Sequence, residues 1–394
     1  MKKTIFLLIV NLLTGCSSDK QSTEGLPCID VTNNYPEKEI ILTDIADVTY
    51  VHLSTENENF LYKGGIDYVT ENTIVVNDKI SGGVLFFSKD GTPKSRFNHY
   101  GKGPQEYMFK GFAQNKSIYQ LLYDEKLNEV FIYMPFGDII QIYTSTGEYL
   151  RTLKLPYGRN NIRYNIYNDK SLIISEERSF YLISRTNGEI LENIDIPTGE
   201  ANLTVKEVIK SGATFYLRME CARMVNCVDG YYLCNPESDT IYLYNKDKKL
   251  TPVLCKTPLI KNLNPMIALD NCWDTGKYQF MRVHTRHASY HLTEFPEYPD
   301  TPEYPDQYYL RDKKSGEVFR QKIIIPDYRD KEIFIAPVPD YFFHKKSTSI
   351  HFELNLFELK EAYKENRLSG KLKDLVAALD EYTDNNIFMI VDFK

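Results

Sequence analysis

The chain has 394 residues, of which 42% are hydrophobic, so it is long enough to bury a sizeable core. Its 30 tyrosines and 21 phenylalanines, against a single tryptophan, favour β-strands, in which aromatic side chains pack well. The formal net charge is −7 and no long basic run occurs, which argues against a nucleic-acid partner.

Residues 1–16 have the layout of a bacterial secretion leader. Lys2 and Lys3 form a basic start, and residues 4–13 form an apolar stretch too short to span a bilayer as a helix. The next four residues, Leu-Thr-Gly-Cys, resemble the lipobox of bacterial lipoproteins. This resemblance implies cleavage before Cys16, acylation of Cys16 and retention on a membrane by several acyl chains. The alternative is an ordinary secretory signal that happens to contain a cysteine.

These features divide the chain into three parts. We expect residues 1–15 to be a lipoprotein signal peptide, residues 16–38 a lipidated and flexible tether, and residues 39–394 the folded domain. Loss of the two leader lysines takes the net charge to −9. Ser17, next to the lipidated cysteine, favours the outer membrane of a Gram-negative envelope, on either its periplasmic or its surface side.

From residue 39 onwards, short apolar or aromatic runs alternate with polar turns, which is typical of an all-β fold. The runs that predict strands are residues 40–45, 48–53, 69–77, 84–87, 129–133, 139–143, 150–155, 171–174, 180–183, 190–196, 231–233, 240–244, 308–310 and 318–325.

The turns between these strands share one layout. Gly91, Gly147, Gly188 and Gly316 each follow an apolar strand and precede an amphipathic one, and the turn near Lys248 repeats this without a glycine. Glycine suits such turns because it adopts positive φ without a Cβ clash. The unequal spacing of the five units favours propeller blades, whose loops vary in length, over the even rungs of a solenoid.

The C-terminal part predicts a short helical segment followed by a strand. Residues 356–367 and 371–382 have helical patterns. Residues 387–391 form a continuous apolar run, and the strand at residues 387–393 is placed to close a propeller with the other chain end. A sixth hairpin unit can be assembled from residues 333–338, residues 349–354 and the two chain ends.

Several stretches together resemble a known family. The lipobox, the strand end at residues 50–53, the loop at residues 101–107 and the ending at residues 379–390 are similar to the lipoproteins of the "6-bladed beta-propeller" family. The resemblance implies an all-β, six-bladed β-propeller, related to NHL-repeat propellers, with a short C-terminal helical segment before the closing strand. The family's function is unknown, so the resemblance supplies no catalytic residue.

The loop Gly101-Lys102-Gly103-Pro104 superficially resembles a phosphate-binding loop. No Gly-Lys-Ser or Gly-Lys-Thr follows it, and no helix is predicted after it. We interpret it as a tight crossing between blades, where glycines allow the backbone to bend.

Three histidines, His284, His287 and His291, have a spacing that would place them along one face of a helix, as in a zinc site. The residues before them alternate like a strand, and on a strand His284 and His287 point to opposite faces. We therefore predict no metal site and no cofactor. Ligand contacts are assigned instead to Trp273, Arg282 and His284, rare or cationic side chains near a strand end.

A short acidic and aromatic duplication, residues 297–300 and 303–306, contains prolines that exclude it from a central strand. It is either a loop that grips a ligand or a solvated insertion.

Seven cysteines remain to be assigned, and Cys16 is reserved for lipid. Five of the other six lie within residues 221–272, which predicts one disulfide between neighbours there if the compartment is oxidising. Cys28, in the expected tether, is predicted to stay free.

No local motif indicates a catalytic centre, so no catalytic residue is assigned. The favoured function is a lipid-anchored envelope binding or scaffold protein that takes a glycan or peptide at the mouth of the propeller channel. One alternative is a hydrolase or lyase acting on polysaccharide with channel carboxylates, because a propeller site leaves no local motif. The other is a non-catalytic subunit of an outer-membrane protein complex.

Overall fold

The computed structural model describes residues 25–55, 58–108, 116, 118–135, 137–155, 162–176, 178–198, 204–208, 214–218, 223–235, 238–263, 266–286, 306–335 and 348–394. The leader with Cys16, Cys221, His287, His291 and residues 297–305 of the acidic duplication lie outside the described residues.

The described chain begins with three strands that join different sheets. They are β1 (Cys28–Asp30), β2 (Glu37–Ile41) and β3 (Ala46–His52), with the four-residue helix α1 (Leu42–Ile45) before β3.

Three sheets of four antiparallel strands follow, each built from consecutive strands. The first contains β4 (Ile66–Val69), β5 (Thr73–Asn77), β6 (Val84–Ser88) and β7 (Pro93–Phe97). The second contains β8 (Leu121–Asp124), β9 (Glu129–Met134), β10 (Ile139–Tyr143) and β11 (Tyr149–Lys154). The third contains β12 (Arg163–Ile166), β13 (Ser171–Glu176), β14 (Ser179–Ser184) and β15 (Ile190–Ile194).

Two further sheets repeat this arrangement after a separate hairpin, β16 (Thr204–Val208) and β17 (Thr214–Arg218). The fourth sheet contains β18 (Arg223–Cys227), β19 (Gly230–Cys234), β20 (Thr240–Asn245) and β21 (Leu250–Thr257). The fifth contains β22 (Met266–Asp274), β23 (Tyr278–Arg286), β24 (Gln307–Asp312) and β25 (Val318–Ile324), with β26 (Glu332–Ile333) paired to β25. Short 3₁₀ turns occupy Glu58–Phe60 and Ile260–Asn262.

The last sheet joins the two ends of the chain. It contains β27 (Ser349–Leu354) and β28 (Ile387–Phe393), between which lie the helices α2 (Leu356–Lys364) and α3 (Gly370–Ala378). β28 pairs with β27 on one side and with β3 on the other, from Ile387 opposite His52 to Phe393 opposite Ala46. The predicted closing strand and the short C-terminal helices are confirmed.

The first strands of neighbouring sheets touch, β4 against β8, β8 against β12, and β18 against β22. Antiparallel sheets arranged around a common axis in this way form a β-propeller, whose first strands border the central channel. The all-β propeller is therefore confirmed, with five sheets of four or more strands and the three-stranded closing sheet among the described residues.

The N-terminal segment lies along the outside of the propeller. β1 pairs in parallel with β21, where Cys28 forms a disulfide with Cys255, and β2 pairs in parallel with β25. Two sequence expectations are corrected here. The chain from Cys28 onwards belongs to the sheets rather than to a flexible tether, and Cys28 is bonded rather than free. This disulfide links distant segments; Cys227 is free among the described residues, Cys221 lies outside them, and a bond between neighbours within residues 221–272 stays a prediction.

The four turn glycines behave as their pattern predicts. Gly91, Gly147, Gly188 and Gly316 all have φ between 79° and 90°, a region that side chains rarely adopt. Lys248, which replaces glycine in the fifth turn, also has a positive φ, of 61°.

Candidate functional site

One pocket lies where the first strands of four sheets end. We call it the mouth pocket; it has a volume of about 320 Å³ and opens at one end of the channel. Its lining includes one tyrosine from each of these sheets: Tyr68, Tyr123, Tyr167 and Tyr231. Most of the lining residues come from the last residues of β4, β8, β12 and β18 and from the turns after them, and Tyr231 follows the turn after β18, so these strand ends converge at the pocket.

Three of these tyrosines are held by hydrogen bonds to the surrounding chain. The Tyr231 hydroxyl donates to the carbonyl oxygen of Ile166 at 2.6 Å, and the Tyr167 hydroxyl donates to the carbonyl oxygen of Asn245 at 2.7 Å. The Tyr123 hydroxyl lies 3.3 Å from Asn128 Oδ1. The rings of the third and fourth sheets are thereby fixed, with the centroids of Tyr167 and Tyr231 6.3 Å apart.

The fourth tyrosine is different. Tyr68 is 2% exposed, and among the described residues no group makes a hydrogen bond to its hydroxyl. Burial, and then the negative charge of Asp124, raise the pKa of Tyr68, although the positive charge of Arg185 partly offsets this. The hydroxyl therefore stays protonated and is a hydrogen-bond donor at the pocket surface.

Asn165 offers a second donor. It is 8% exposed and its Oδ1 accepts a 2.8 Å hydrogen bond from the backbone N–H of Ile166. In the part of the chain that the structure describes, its amide nitrogen has no partner. Both Asn165 and Tyr68 line the mouth pocket.

A buried ion network supports the pocket from the side of the second and third sheets. The Arg185 guanidinium lies 2.8 Å from Asp124 and 2.8 Å from Glu129, and Arg151 approaches Glu129 at 2.6 Å. Burial alone would raise the pKa of Glu129, but the hydrogen bonds and charges of Arg151 and Arg185 outweigh it and lower that pKa.

The rim of the pocket is more exposed. Lys126 and Asp169 form an ion pair at 2.6 Å with side chains 62% and 63% exposed, and Lys246 is a further rim cation. Salt and water screen such exposed charges, so we assign the rim a lesser role in affinity than the buried groups.

The three residues proposed from the sequence lie elsewhere, on β22 and β23 of the fifth sheet. Trp273 is 3% exposed and packs against Phe280 and Phe393, with ring centroids 5.6 and 5.1 Å away. Arg282 lies 3.4 Å from Asp306, and His284 is buried. None of the three lines the mouth pocket, and their ligand contacts stay a prediction.

Sequence reasoning missed Tyr68 and Asn165. Each occupies an ordinary strand and no local motif marks it. The available signal was weaker: a polar or tyrosine side chain near the end of the first strand of a repeated unit.

The loop at residues 101–107 packs between the first two sheets. The Glu106 carboxylate accepts a 2.7 Å hydrogen bond from the backbone N–H of Gly103, and the buried Tyr107 donates to the carbonyl oxygen of Gly82 at 2.8 Å. Tyr143 of the second sheet donates to the carbonyl oxygen of Gln105 at 3.0 Å. These contacts fit the interpretation of the loop as a crossing between blades.

Within the described ranges, no group of three or more His, Cys, Asp and Glu side chains is arranged to hold a metal ion. None of the helices in these ranges is long and apolar enough to cross a bilayer.

Comparison with known families adds to this picture. The model of the family described as "6-bladed beta-propeller" matches residues 17–338, most of the chain. The chain belongs to this family. The sequence resemblance to the 6-bladed beta-propeller family is thus confirmed, and the family's function is unknown.

A solved structure similar to this 6-bladed beta-propeller protein shares its fold. A Bacteroides fragilis protein described as exported matches with a TM-score of 0.58 and 15% identity, over 91% of this chain and 98% of that one. BamB from Moraxella catarrhalis matches with a TM-score of 0.31 and 10% identity, over 65% and 83%, and is too distant to support an inference. No curated protein sequence matches this chain.

Proposed function

We propose that this propeller is a lipid-anchored, non-catalytic binding module of a Gram-negative envelope. Its ligand, a glycan or a peptide, would occupy the mouth pocket. The observation that carries the proposal is the convergence of four tyrosines from four sheets on one pocket, with Tyr68 and Asn165 as buried donors without partners among the described residues.

Physical arguments favour this pocket as a binding site. The Tyr68 hydroxyl and the Asn165 amide line the mouth pocket without a partner in the described chain, so a ligand acceptor placed there would gain hydrogen bonds that the fold leaves open. The other pocket tyrosines are already fixed by hydrogen bonds, so little side-chain entropy would be lost on binding.

Two further parts of the proposal concern architecture. We take the three-stranded sheet of β3, β27 and β28 as the sixth blade, in agreement with the family description. We take residues 16–27 as the tether, because the paired strands begin at Cys28.

The anchor is tested on Cys16. In the wild-type chain expressed in a Gram-negative host, we expect radiolabelled palmitate to be incorporated and the protein to fractionate with the outer membrane. Cys16→Ser should lose both. Export of Cys16→Ser with unchanged membrane fractionation would contradict lipid anchoring, and wild-type release without label would favour the ordinary secretory signal.

The binding function is tested with the full chain purified in detergent on arrays of glycans and peptides, with the same ligands assayed for product release. We expect binding without turnover. Tyr68→Phe should weaken it while Tyr133→Phe should not, since Tyr133 is a buried tyrosine outside the pocket whose hydroxyl also has no partner in the described chain. Turnover would overturn the proposal in favour of the polysaccharide-acting enzyme. Absence of any binding would favour the complex subunit.

A further inference from the structure

We infer that the ligand of the mouth pocket is a glycan with a pendant acetamido group, whose carbonyl oxygen accepts hydrogen bonds from the Tyr68 hydroxyl and the Asn165 amide. This inference rests on the proposed function and specifies its ligand.

Two buried polar residues of the pocket, Tyr68 and Asn165, can donate hydrogen bonds to a ligand. Asn165 Oδ1 is already used by the backbone N–H of Ile166, which leaves the NH₂ group, and the Tyr68 hydroxyl is free to donate in the described structure. A carbonyl oxygen has two lone pairs and is the acceptor that two such donors satisfy together.

The charges around these donors favour a neutral acceptor. Next to Tyr68, Asp124 is paired with Arg185 at 2.8 Å, so this pair leaves no free positive charge to compensate a carboxylate or phosphate at the same position. A cation would find no uncommitted carboxylate, because Asp124 pairs with Arg185 at 2.8 Å and Asp169 pairs with Lys126 at 2.6 Å. A neutral group that accepts hydrogen bonds well, such as an amide carbonyl, therefore fits this position.

The depth of the donors favours a pendant group. Tyr68 and Asn165 are more than nine-tenths buried, while Asn168, Asp169 and Lys246 at the rim are exposed. An acceptor must therefore reach inwards past the rim, as a substituent does and as the main chain of a polymer does not.

The rim also favours a sugar over a peptide. Tyr167 is partly exposed, and its hydroxyl is held by the carbonyl oxygen of Asn245, so its ring presents a fixed apolar face. An acetamido sugar carries its carbonyl directly on a ring that can stack on such a face. A glutamine side chain of a peptide offers the carbonyl without the ring.

The experiment compares two oligosaccharides that differ in this substituent. The full chain in detergent is titrated calorimetrically with the β-1,4-linked tetramer of N-acetylglucosamine and with cellotetraose, which has the same backbone and a hydroxyl in place of each acetamido group. An N-acetylated, glutamine-containing peptide is the third ligand. We expect the acetylated tetramer to bind at least about tenfold more tightly than cellotetraose, the difference of roughly one to two hydrogen bonds.

Two variants locate the binding. Tyr68→Phe keeps the ring and removes the hydroxyl, and Asn165→Asp keeps the shape and replaces the donor by an acceptor. Each should weaken binding of the acetylated tetramer by about threefold to tenfold or more, since each removes one hydrogen bond. Tyr133→Phe, the same chemical change outside the pocket, should leave it unchanged.

The other outcomes separate the two proposals. If cellotetraose binds as tightly as the acetylated tetramer and Tyr68→Phe weakens the binding of both, the acetamido inference is overturned and the mouth pocket is left as the binding site. Binding of the peptide alone would overturn the glycan and keep the pocket. If the acetylated tetramer binds and neither variant changes its affinity, both the acetamido inference and the mouth pocket as the binding site are overturned. If none of the three ligands binds, the inference fails, while the array experiment decides the proposed function independently.

Discussion

Arg185 and Asp124 form an ion pair at 2.8 Å that joins the third sheet to the second beside the mouth pocket. Both side chains are almost completely buried, 3% and 6% exposed, and Arg185 also pairs with Glu129. The guanidinium lies 5.0 Å from the ring centroid of Phe131, a favourable cation–π contact. One side chain therefore links two blades and also stabilises the charges next to Tyr68.

We expect Arg185→Met to lower the free energy of unfolding by about 3–5 kcal/mol, because it leaves Asp124 buried without its counter-charge. Urea denaturation of the full chain measures this. Lys364→Met is the control, because it breaks the exposed ion pair with Glu361 on α2 and should leave the unfolding midpoint unchanged. Similar small effects in both variants would show that the buried pair does not hold the blades together.

The disulfide between Cys28 and Cys255 closes a sequence separation of 227 residues and ties β1 to the fourth sheet. We expect Cys28→Ser to lower the free energy of unfolding by about 2–4 kcal/mol, since the cross-link restricts the unfolded chain. Chemical denaturation under oxidising conditions measures the loss. A reductant should reproduce it in the wild type and have no further effect on the double variant Cys28→Ser/Cys255→Ser. A wild-type free energy of unfolding that the reductant does not change would contradict the expectation.

The local part of this fold could be predicted from the sequence. Hairpins are indicated by residues close together in the sequence, and Gly91, Gly147 and Gly188 mark turns in three consecutive sheets because positive φ at those positions favours glycine. The closing strand Ile387–Phe393 can be predicted equally well, because its first five residues form a continuous apolar run.

The long-range contacts of the fold could not be predicted from the sequence. β1 pairs with β21 across more than two hundred residues. A strand of three residues is too short for its sequence pattern to predict which strand it pairs with. The mouth pocket also depends on long-range contacts, because Tyr68 and Asn165 lie in different sheets and only the closed ring of sheets brings them together. Trp273 packs on Phe280 and Phe393, and the rarity of tryptophan in the sequence does not indicate whether this residue also contacts a ligand.

The turn glycines allow a matched comparison. At Gly91 an added Cβ would overlap the backbone carbonyl oxygen of His52 in β3, whereas at Gly316 it would meet no atom within 4 Å. Both positions have positive φ, so alanine costs about 1–2 kcal/mol at either one. We expect Gly316→Ala to lower the free energy of unfolding by only that amount. Gly91→Ala should lower it by about 1–3 kcal/mol more, because the added Cβ overlaps packed atoms.

Thermal or urea unfolding of the two glycine variants measures this difference. Equal losses would mean that the first hairpin does not pack on the closing sheet as closely as the His52 carbonyl indicates.

His351 gives the fold a dependence on pH. It is 4% exposed on β27, and burial lowers the pKa of its imidazole to about 4, from about 6.5 in the unfolded chain. The unfolded state then binds the proton more tightly. The stability that the neutral histidine contributes is complete above pH 6.5 and is lost progressively as the pH falls towards 4, by about 3 kcal/mol in all.

We expect His351→Gln to remove this loss, so that the free energy of unfolding falls less steeply between pH 6.5 and 4 than in the wild type. Asp67 has the opposite sign, because burial raises its pKa to about 7 and its contribution grows as the pH falls. Subtracting the variant's unfolding curve from that of the wild type cancels Asp67 and leaves His351. The two curves should run parallel above pH 7, and parallel curves down to pH 4 as well would show that His351 titrates normally in the folded protein.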